Sequence, residues 1–264
     1  MGDNPRRLTV ITGASGGIGA DLARVMARDG CDLALVARSK PALEALADEI
    51  SVSGRPRPLV ITLDLAVPGA ADSLRQALSA ANAEADCLVN NAGYGLNGWM
   101  AELDRADQVG IVDLNIRALT DITLALLPDI IRLRGGILNV ASTAAFLPGP
   151  GMAVYYASKA YVLSFSQALQ AELAGQGVRV SALCPGPVET GFAARAKFEA
   201  NLLKIYHIMT SLDVAEAGYA GFKSGKRVIV PGWMNKMTVW TTPFLPKALV
   251  LPVVKWLQAR RTKI

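Results

Sequence analysis

The sequence predicts an α/β fold, a single-domain doubly wound parallel sheet with helices on both faces, and three observations predict it. Short β-branched runs alternate with stretches whose apolar residues recur at helical spacing. The first alternation turns on the glycine-rich run Thr12-Gly13-Ala14-Ser15-Gly16-Gly17-Ile18-Gly19. The 264 residues are 52% hydrophobic and 19% charged, which is enough apolar side chain for a sheet buried on both faces and too few charges for disorder. A chain of this length could also hold two small domains, but no Pro/Gly/Ser-rich linker or charge run divides it.

In order, Leu8 to Thr12 reads as a strand that stops at the glycines, and Ile18 to Ala27 as the helix beyond them. A second strand, Asp32 to Ala37, and a second helix, Pro41 to Ile50, complete a βαβ unit. The alternation continues with a strand at Leu59–Leu63, a helix at Ala70–Ala80 and a strand at Cys87–Asn90. A helical stretch from Asp104 to Leu127 is long enough for two helices. Then come a strand at Ile137–Ala141, a helix at Tyr155–Ala174, a strand at Arg179–Cys184, and Val228-Ile229-Val230 as the last strand. There is no internal repeat and no low-complexity segment.

The glycine turn in this strand-to-helix context is of the Rossmann type. Glycines there permit tight backbone geometry and close approach of a pyrophosphate, which would rest on the helix N-terminus with its free N–H groups and favourable dipole. The spacing leaves two assignments open, Gly13/Gly17/Gly19 and Gly13/Gly16/Gly19. No Gly-Lys-Ser/Thr follows, which disfavours a kinase or GTPase phosphate loop. An acidic residue about twenty positions on would select NAD(H). Here the second strand ends Val36-Ala37-Arg38-Ser39, and a guanidinium beside a hydroxyl suits a 2′-phosphate. The expectation is NADP(H) preferred, with NAD(H) left open and Arg38 as a solvated loop residue the plain alternative.

The proton chemistry is read from Tyr155 and Lys159. A phenol at neutral pH lies about 4 kcal/mol from deprotonation, and a nearby cation narrows that gap. Residues four apart on a helix share a face at about 5–6 Å between Cβ atoms, so Lys159 could place its ammonium beside the Tyr155 hydroxyl. Tyr155 would then be general acid in reduction and general base in oxidation. Tyr156 is the rival, three residues from Lys159 and on a different face. A hydride passing between a nicotinamide and a carbonyl needs such a proton donor, so the two motifs together point to an oxidoreductase.

With these residues in place the chain resembles the classical short-chain dehydrogenase/reductase family over about Leu8 to Gly232. The matching motifs are the Thr12–Gly19 turn, Asn90-Asn91-Ala92-Gly93, Asn115 in the long helix, Ser142 after Asn139-Val140-Ala141, and Tyr155 with Lys159. Pro185-Gly186-Pro187-Val188-Glu189-Thr190 matches the family's segment beside the nicotinamide. The resemblance implies that Ser142 orients the substrate oxygen while Tyr155 exchanges the proton. Lys159 would lower the tyrosine pKa and bind the nicotinamide ribose, and Asn115 would support a water-linked path to Lys159. Asp64 and Leu65 would contact adenine, Asn91, Ala92 and Gly93 would line the cofactor, and Pro185, Gly186, Val188 and Thr190 would lie at the nicotinamide, Thr190 on the carboxamide. Plainer readings stay open: Ser142 as a turn serine, Asn115 as a polar helix residue, Asn91 as a turn former. Many NADP-dependent members carry a second basic residue in the glycine turn, where Ser15 and Gly16 stand here, so NADP selectivity would rest largely on Arg38.

Substrate choice is expected in a lid at about 191–221 and after Ser142. Phe146, Leu147, Met152, Phe192, Phe198, Leu202, Leu203, Ile205, Tyr206 and Met209 suggest an apolar mouth and hence a lipophilic carbonyl or alcohol, 3-oxoacyl, steroid-like or aromatic; core packing would give the same composition. The single histidine, His207, has no ligand cluster around it, so no metal is expected. Residues 1–232 then form the catalytic domain. Residues 233–264 are an apolar extension, interrupted by Pro243, Pro246, Lys247 and Pro252 and so not a membrane span. It would cover a subunit interface in a homodimer or homotetramer, cap the pocket, or, as the lesser alternative, touch a membrane surface. The net charge of +5 and pI near 9.2 are explained by a phosphate-bearing cofactor without nucleic acid. Cys31, Cys87 and Cys184 read as reduced core thiols, and Met1 to Arg7 is too short and polar for a secretory signal, which makes the cytoplasm the expected compartment. A non-catalytic dinucleotide sensor or scaffold is the alternative function. An epimerase or dehydratase of the extended branch is disfavoured by the little room left for a substrate domain.

Overall fold

A computed structural model describes residues 4–189 and 208–259. The elements are β1 (Arg6–Thr12), α1 (Gly17–Arg28), β2 (Leu33–Ala37), α2 (Lys40–Val52), β3 (Leu59–Thr62), α3 (Ala70–Ala80), β4 (Ala83–Asn90), α4 (Arg105–Val112), α5 (Leu119–Leu133), β5 (Gly136–Val140), α6 (Ala153–Leu173), β6 (Arg179–Leu183), β7 (Val188–Glu189), β8 (Met209–Thr210), α7 (Ser211–Lys223), β9 (Val228–Ile229), α8 (Trp233–Thr241) and α9 (Lys247–Ala259). Seven strands form one sheet in the order β3-β2-β1-β4-β5-β6-β9. Every pairing in it is parallel. The order reverses between β1 and β4, the place where ligands bind at the carboxyl ends of such sheets.

Strand side chains alternate between faces, and the two halves of the core follow from that period. Leu8 and Val10 of β1 pack with Leu74 of α3, Ile122 and Leu126 of α5, and Leu169 of α6. Ile11 of the same strand packs on the other face with Leu22 and Met26 of α1, Leu43 of α2, and Val214 and Phe222 of α7. The doubly wound sheet expected from the sequence is the one observed.

Three elements differ in extent from the sequence reading. β4 begins at Ala83, four residues ahead of Cys87, because Ala83 and Glu84 pair with Arg6 and Arg7 of β1. α5 runs through Pro128 to Leu133, where the sequence suggests a stop at Leu127. The missing N–H is outweighed by the buried stripe Ile122, Leu126 and Ile130, which continues past the proline. Residues 211–221, read as part of a lid, belong to α7, which is N-capped by Thr210 and buries Val214, Ala215, Tyr219 and Phe222 against α1. Of the rest of that stretch, residues 191–207, with Phe192, Phe198, Leu202, Leu203, Ile205, Tyr206 and His207, lie outside the described residues.

The turn from α5 into β5 is set by a backbone approach. Arg134 is left-handed at φ 53, and a Cβ on Gly135 would lie 1.6 Å from the Asp86 carbonyl oxygen. Gly135→Ala is therefore expected to destabilise the fold by about 3 kcal/mol, read as a lower urea midpoint, since relief requires β4 and β5 to part.

Candidate active site

The glycine turn leaves β1 and enters α1 with Gly13 at φ 67 and Gly17 at φ 54, both in the left-handed region. A Cβ on Gly19 would lie 2.5 Å from the Gly13 carbonyl oxygen, so turn and helix could not close. Gly16 is different. It is the N-cap at φ 173, an extended conformation open to any residue, and a Cβ there would meet nothing within 4 Å. Packing therefore requires the Gly13/Gly17/Gly19 set. Gly16 offers no side chain to cap α1, so the first-turn N–H groups of Gly17, Ile18 and Gly19 carry no side-chain cap, as an anion site needs.

The turn is fixed to the loop after β4 by two side chains. Thr12 Oγ1 donates to the Val89 carbonyl (3.2 Å) and accepts from the N–H groups of Asn91 (3.0 Å) and Ala92 (3.1 Å). Asn91 Nδ2 donates to the carbonyls of Thr12 (2.9 Å) and Gly13 (3.1 Å). Asn91 thus braces the glycine turn from the loop after β4.

That cleft has a volume of about 810 Å³. Gly13 and Ser15 of the turn line it, with Arg38 and Ser39 after β2, Asp64 and Leu65 after β3, and Ala92 and Gly93 after β4. Arg38 is exposed. Asp64 Oδ1 accepts from the Ala66 N–H at 3.0 Å, and Arg117, paired with Asp113 at 3.0 Å, donates to the Ala66 carbonyl, so the loop is held from the α4–α5 side.

Between α4 and α5 the helix widens into a π-turn, Asp113–Ala118, which brings Asn115 to 1% exposure. Such turns interrupt helices most often at functional sites. Asn115 Oδ1 accepts from the Tyr94 N–H (3.1 Å), and its Nδ2 donates to the Tyr94 carbonyl and to Ser158 Oγ (both 3.0 Å). Ser158 Oγ donates to the Tyr155 carbonyl at 2.7 Å. A tether thus runs from the loop after β4, through the π-turn, into α6 beneath Tyr155.

Lys159, one turn further along α6, is 6% exposed and donates to the Val140 carbonyl at the end of β5 (2.8 Å). Its Nζ lies 5.9 Å from the centre of the Tyr155 ring, and a Cβ on Gly93 would come within 3.5 Å of it. The tighter approach is to Asn115 Oδ1, 2.9 Å from that Cβ, so glycine at 93 is what lets the loop after β4 close on the π-turn. Ser142 sits opposite, in extended conformation at the end of β5, where its Oγ caps a short 3-10 turn by accepting from the Ala144 N–H (3.1 Å) and donates to the Pro185 carbonyl (3.4 Å). Tyr156 packs its ring on Gly149 and edge-on to Tyr155 at 6.1 Å, turned from Lys159. Tyr155, Lys159, Ser142 and Asn115 are thus gathered at one place.

Burial pushes the Tyr155 phenol well above its ordinary value, opposed by a hydrogen bond with Ser142. Burial also pushes the Lys159 ammonium down, to about 8. Lys159 therefore keeps its charge through the neutral range, where the Tyr155 phenol is protonated.

The remaining residues divide. Pro185 accepts from Ser142 and from the Thr143 N–H (2.9 Å), but Gly186 packs on the extension, where a Cβ would lie 2.3 Å from Asn235 Oδ1. Val188 lies in β7, which pairs with β8, and Thr190 lies outside the described residues. The sequence reading assigned no role to Tyr94, Ser158 or Arg117. Only Ser158 carried a signal, its place three residues after Tyr155.

A Rossmann-type sheet with a cleft of this kind, beside a grouped tyrosine, lysine and serine, defines an oxidoreductase of the α/β class. The chain belongs to the short chain dehydrogenase family, whose model matches residues 7–200. It is 40% identical over 185 residues to a sulfoacetaldehyde reductase of Chromohalobacter salexigens, covering 69% of this chain and 72% of that protein. Among solved structures it is similar to a short-chain dehydrogenase from Sphingobium yanoikuyae in complex with NADPH, at TM-score 0.79 and 31% identity over 93% of this chain and 95% of the other. A Burkholderia phymatum family member in complex with NAD matches at TM-score 0.79 and 26% identity over 91% and 94%.

The depressed Lys159 has a stability consequence whose sign is fixed. Below pH 8 folded and unfolded chains both carry the charge and the folded one bears the full burial cost, about 3 kcal/mol; that cost is lost as pH rises from about 8 to the ordinary 10.5. Without added ligand, Lys159→Met is expected to raise stability at pH 7, with the gain vanishing by pH 10.5, in urea denaturation at the two pH values.

Proposed function

We propose that the protein interconverts a carbonyl and an alcohol with NADP(H) as cofactor, Tyr155 exchanging the proton at the substrate oxygen. The observation that carries this reading is the grouping of Tyr155 and Ser142 with the buried Lys159, next to Gly93 in the wall of the cleft that the glycine turn also lines. When bound, the nicotinamide supplies the hydride in reduction and takes it in oxidation. Ser142 Oγ holds the substrate oxygen, and Tyr155 delivers its proton there as charge develops. Burial favours this direction, because it keeps the phenol protonated through the neutral range. Lys159 anchors one N–H on Val140 and turns the others to the ribose hydroxyls. Asn115 is a positioning residue through Tyr94 and Ser158.

The uncapped N–H groups of α1 suit the pyrophosphate. Arg38 and Ser39 at the cleft wall support a 2′-phosphate, hence NADP(H) over NAD(H), and Asp64 and Leu65 suit adenine. Gly93 lies at the passage to Lys159, and Pro185, Gly186, Val188 and Thr190 are assigned to the nicotinamide end by their match to the family motif. Phe146, Leu147 and Met152, following Ser142, favour a lipophilic carbonyl, 3-oxoacyl, steroid-like or aromatic. A second reading, a small sulfonated aldehyde, is supported by the relative named for sulfoacetaldehyde. The non-catalytic sensor is disfavoured because all four polar site residues are gathered at one place. Self-association as a dimer or tetramer is supported by exposed Val109, Val112 and Leu124 along α4 and α5, and a cytoplasmic setting by the free thiols of Cys31, Cys87 and Cys184.

With NADPH and a panel of ketones, 3-oxoacyl thioesters and sulfoacetaldehyde, turnover followed at 340 nm is expected to fall about a thousandfold in Tyr155→Phe with NADPH binding intact; unchanged turnover in the variant would sink the assignment. Reduction should be level through neutral pH and decline above about 8 as Lys159 loses its charge. Gly16→Arg, which meets nothing in the fold, is expected to raise the preference for NADPH over NADH about tenfold in kcat/KM.

A further inference from the structure

Helix α8 is amphipathic in the reverse of the usual sense. Its inward positions are Asn235, whose Nδ2 donates to the Pro231 carbonyl (2.8 Å), and Val239, both partly buried. Its outward stripe is Trp233, Met237 and Trp240, at spacings of four and three, with exposures of 72%, 57% and 79%. A surface helix ordinarily turns its apolar stripe to the core. The apolar surface continues through Phe244, 86% exposed, and Leu245 to Leu251, Val253 and Trp256 of α9, while Val254 is buried. Three of the four tryptophans of the chain lie in this segment.

Its charge is as lopsided as its hydrophobicity. Residues 233–264 hold six basic side chains, Lys236, Lys247, Lys255, Arg260, Arg261 and Lys263, and no Asp or Glu. The other 232 residues carry 21 basic against 22 acidic side chains, so the net positive charge of the protein resides in this segment.

We propose that this face docks on an anionic lipid surface. Tryptophan rings favour the boundary between headgroups and hydrocarbon, and lysines beside them keep their stems on apolar surface while the ammonium reaches phosphate. Lys236, exposed between Trp233 and Trp240, is so placed. A second copy of the same face is disfavoured, since a twofold pairing would bring Lys236 and Lys255 toward their own copies with no carboxylate anywhere in the segment to answer them. The contact is interfacial, for no helix among the described residues is long and apolar enough to cross a membrane. α8 also packs on the 3-10 turn that follows Ser142, and Lys255 lies over the Trp99 ring at 5.8 Å, so the docked face adjoins the mouth of the catalytic group.

The test is flotation of the full-length protein with vesicles of phosphatidylcholine alone or mixed with phosphatidylglycerol, at low and high salt. Co-flotation with the phosphatidylglycerol vesicles, weakened by salt and accompanied by a blue shift of tryptophan emission, is expected. Lys236→Glu and Trp240→Glu, both at exposed positions, should each weaken partition about tenfold with unchanged melting by circular dichroism. No flotation, or equal flotation on phosphatidylcholine alone, overturns the proposal. So does a wild-type oligomer that ignores vesicles and is split by Trp240→Glu in sedimentation velocity, which would assign the face to a second copy.

Discussion

Holding the Lys159 ammonium out of water is the constraint from which most of the site follows. A buried ammonium must be met by fixed dipoles, and here the Val140 carbonyl at the end of β5 meets it. β5 therefore has to end where α6 passes, while the loop after β4 closes on Asn115 without a side chain at Gly93, whose Cβ would lie 2.9 Å from Asn115 Oδ1. The same burial that lowers the lysine raises the tyrosine, so the pair is kept in opposite protonation preferences by one cause.

The loops at the carboxyl ends of the strands are positioned by polar side chains that take no part in lining the cleft. Thr12 and Asn91 join the glycine turn to β4, Asn115 joins the β4 loop to α6, and Arg117 holds the β3 loop. Beneath them Asn90 Nδ2 donates to Thr123 Oγ1 and to Asn139 Oδ1, and Asn139 Nδ2 donates to Ser166 Oγ (each 2.9 Å). This buried chain ties α5 and α6 together through paired residues of β4 and β5. Fully satisfied networks of this kind fix geometry more than they add stability.

The sheet and the pairing of Tyr155 with Lys159 were legible because they obey local rules, whereas Ser142 and Asn115 were singled out only by the family resemblance. β-branched runs and glycines at a turn write the strands and α1, and a four-residue spacing writes Tyr155 against Lys159. What was not legible depends on distant partners. No residue type marks the π-turn, whose widening is known only from where Asn115 ends up. Pro128 reads as a stop because sequence alone gives no weight to the burial of Ile130 beyond it. The two carbonyls that Asn91 reaches, of Thr12 and Gly13, lie far off in sequence and are marked by no local pattern. The first eleven residues of α7 fell within the expected lid because nothing local marked where that stretch ends and the helix packed on α1 begins.

The short ladder between β7 and β8 has a consequence for how such a protein changes over time. Val188 pairs with Met209 and Glu189 with Thr210, so the chain leaves and rejoins the body at two adjacent points. The entropy of closing a loop grows only with the logarithm of its length once its ends are held together. The number of residues between Glu189 and Met209 can therefore change at small entropic cost while the seven-stranded sheet keeps its register.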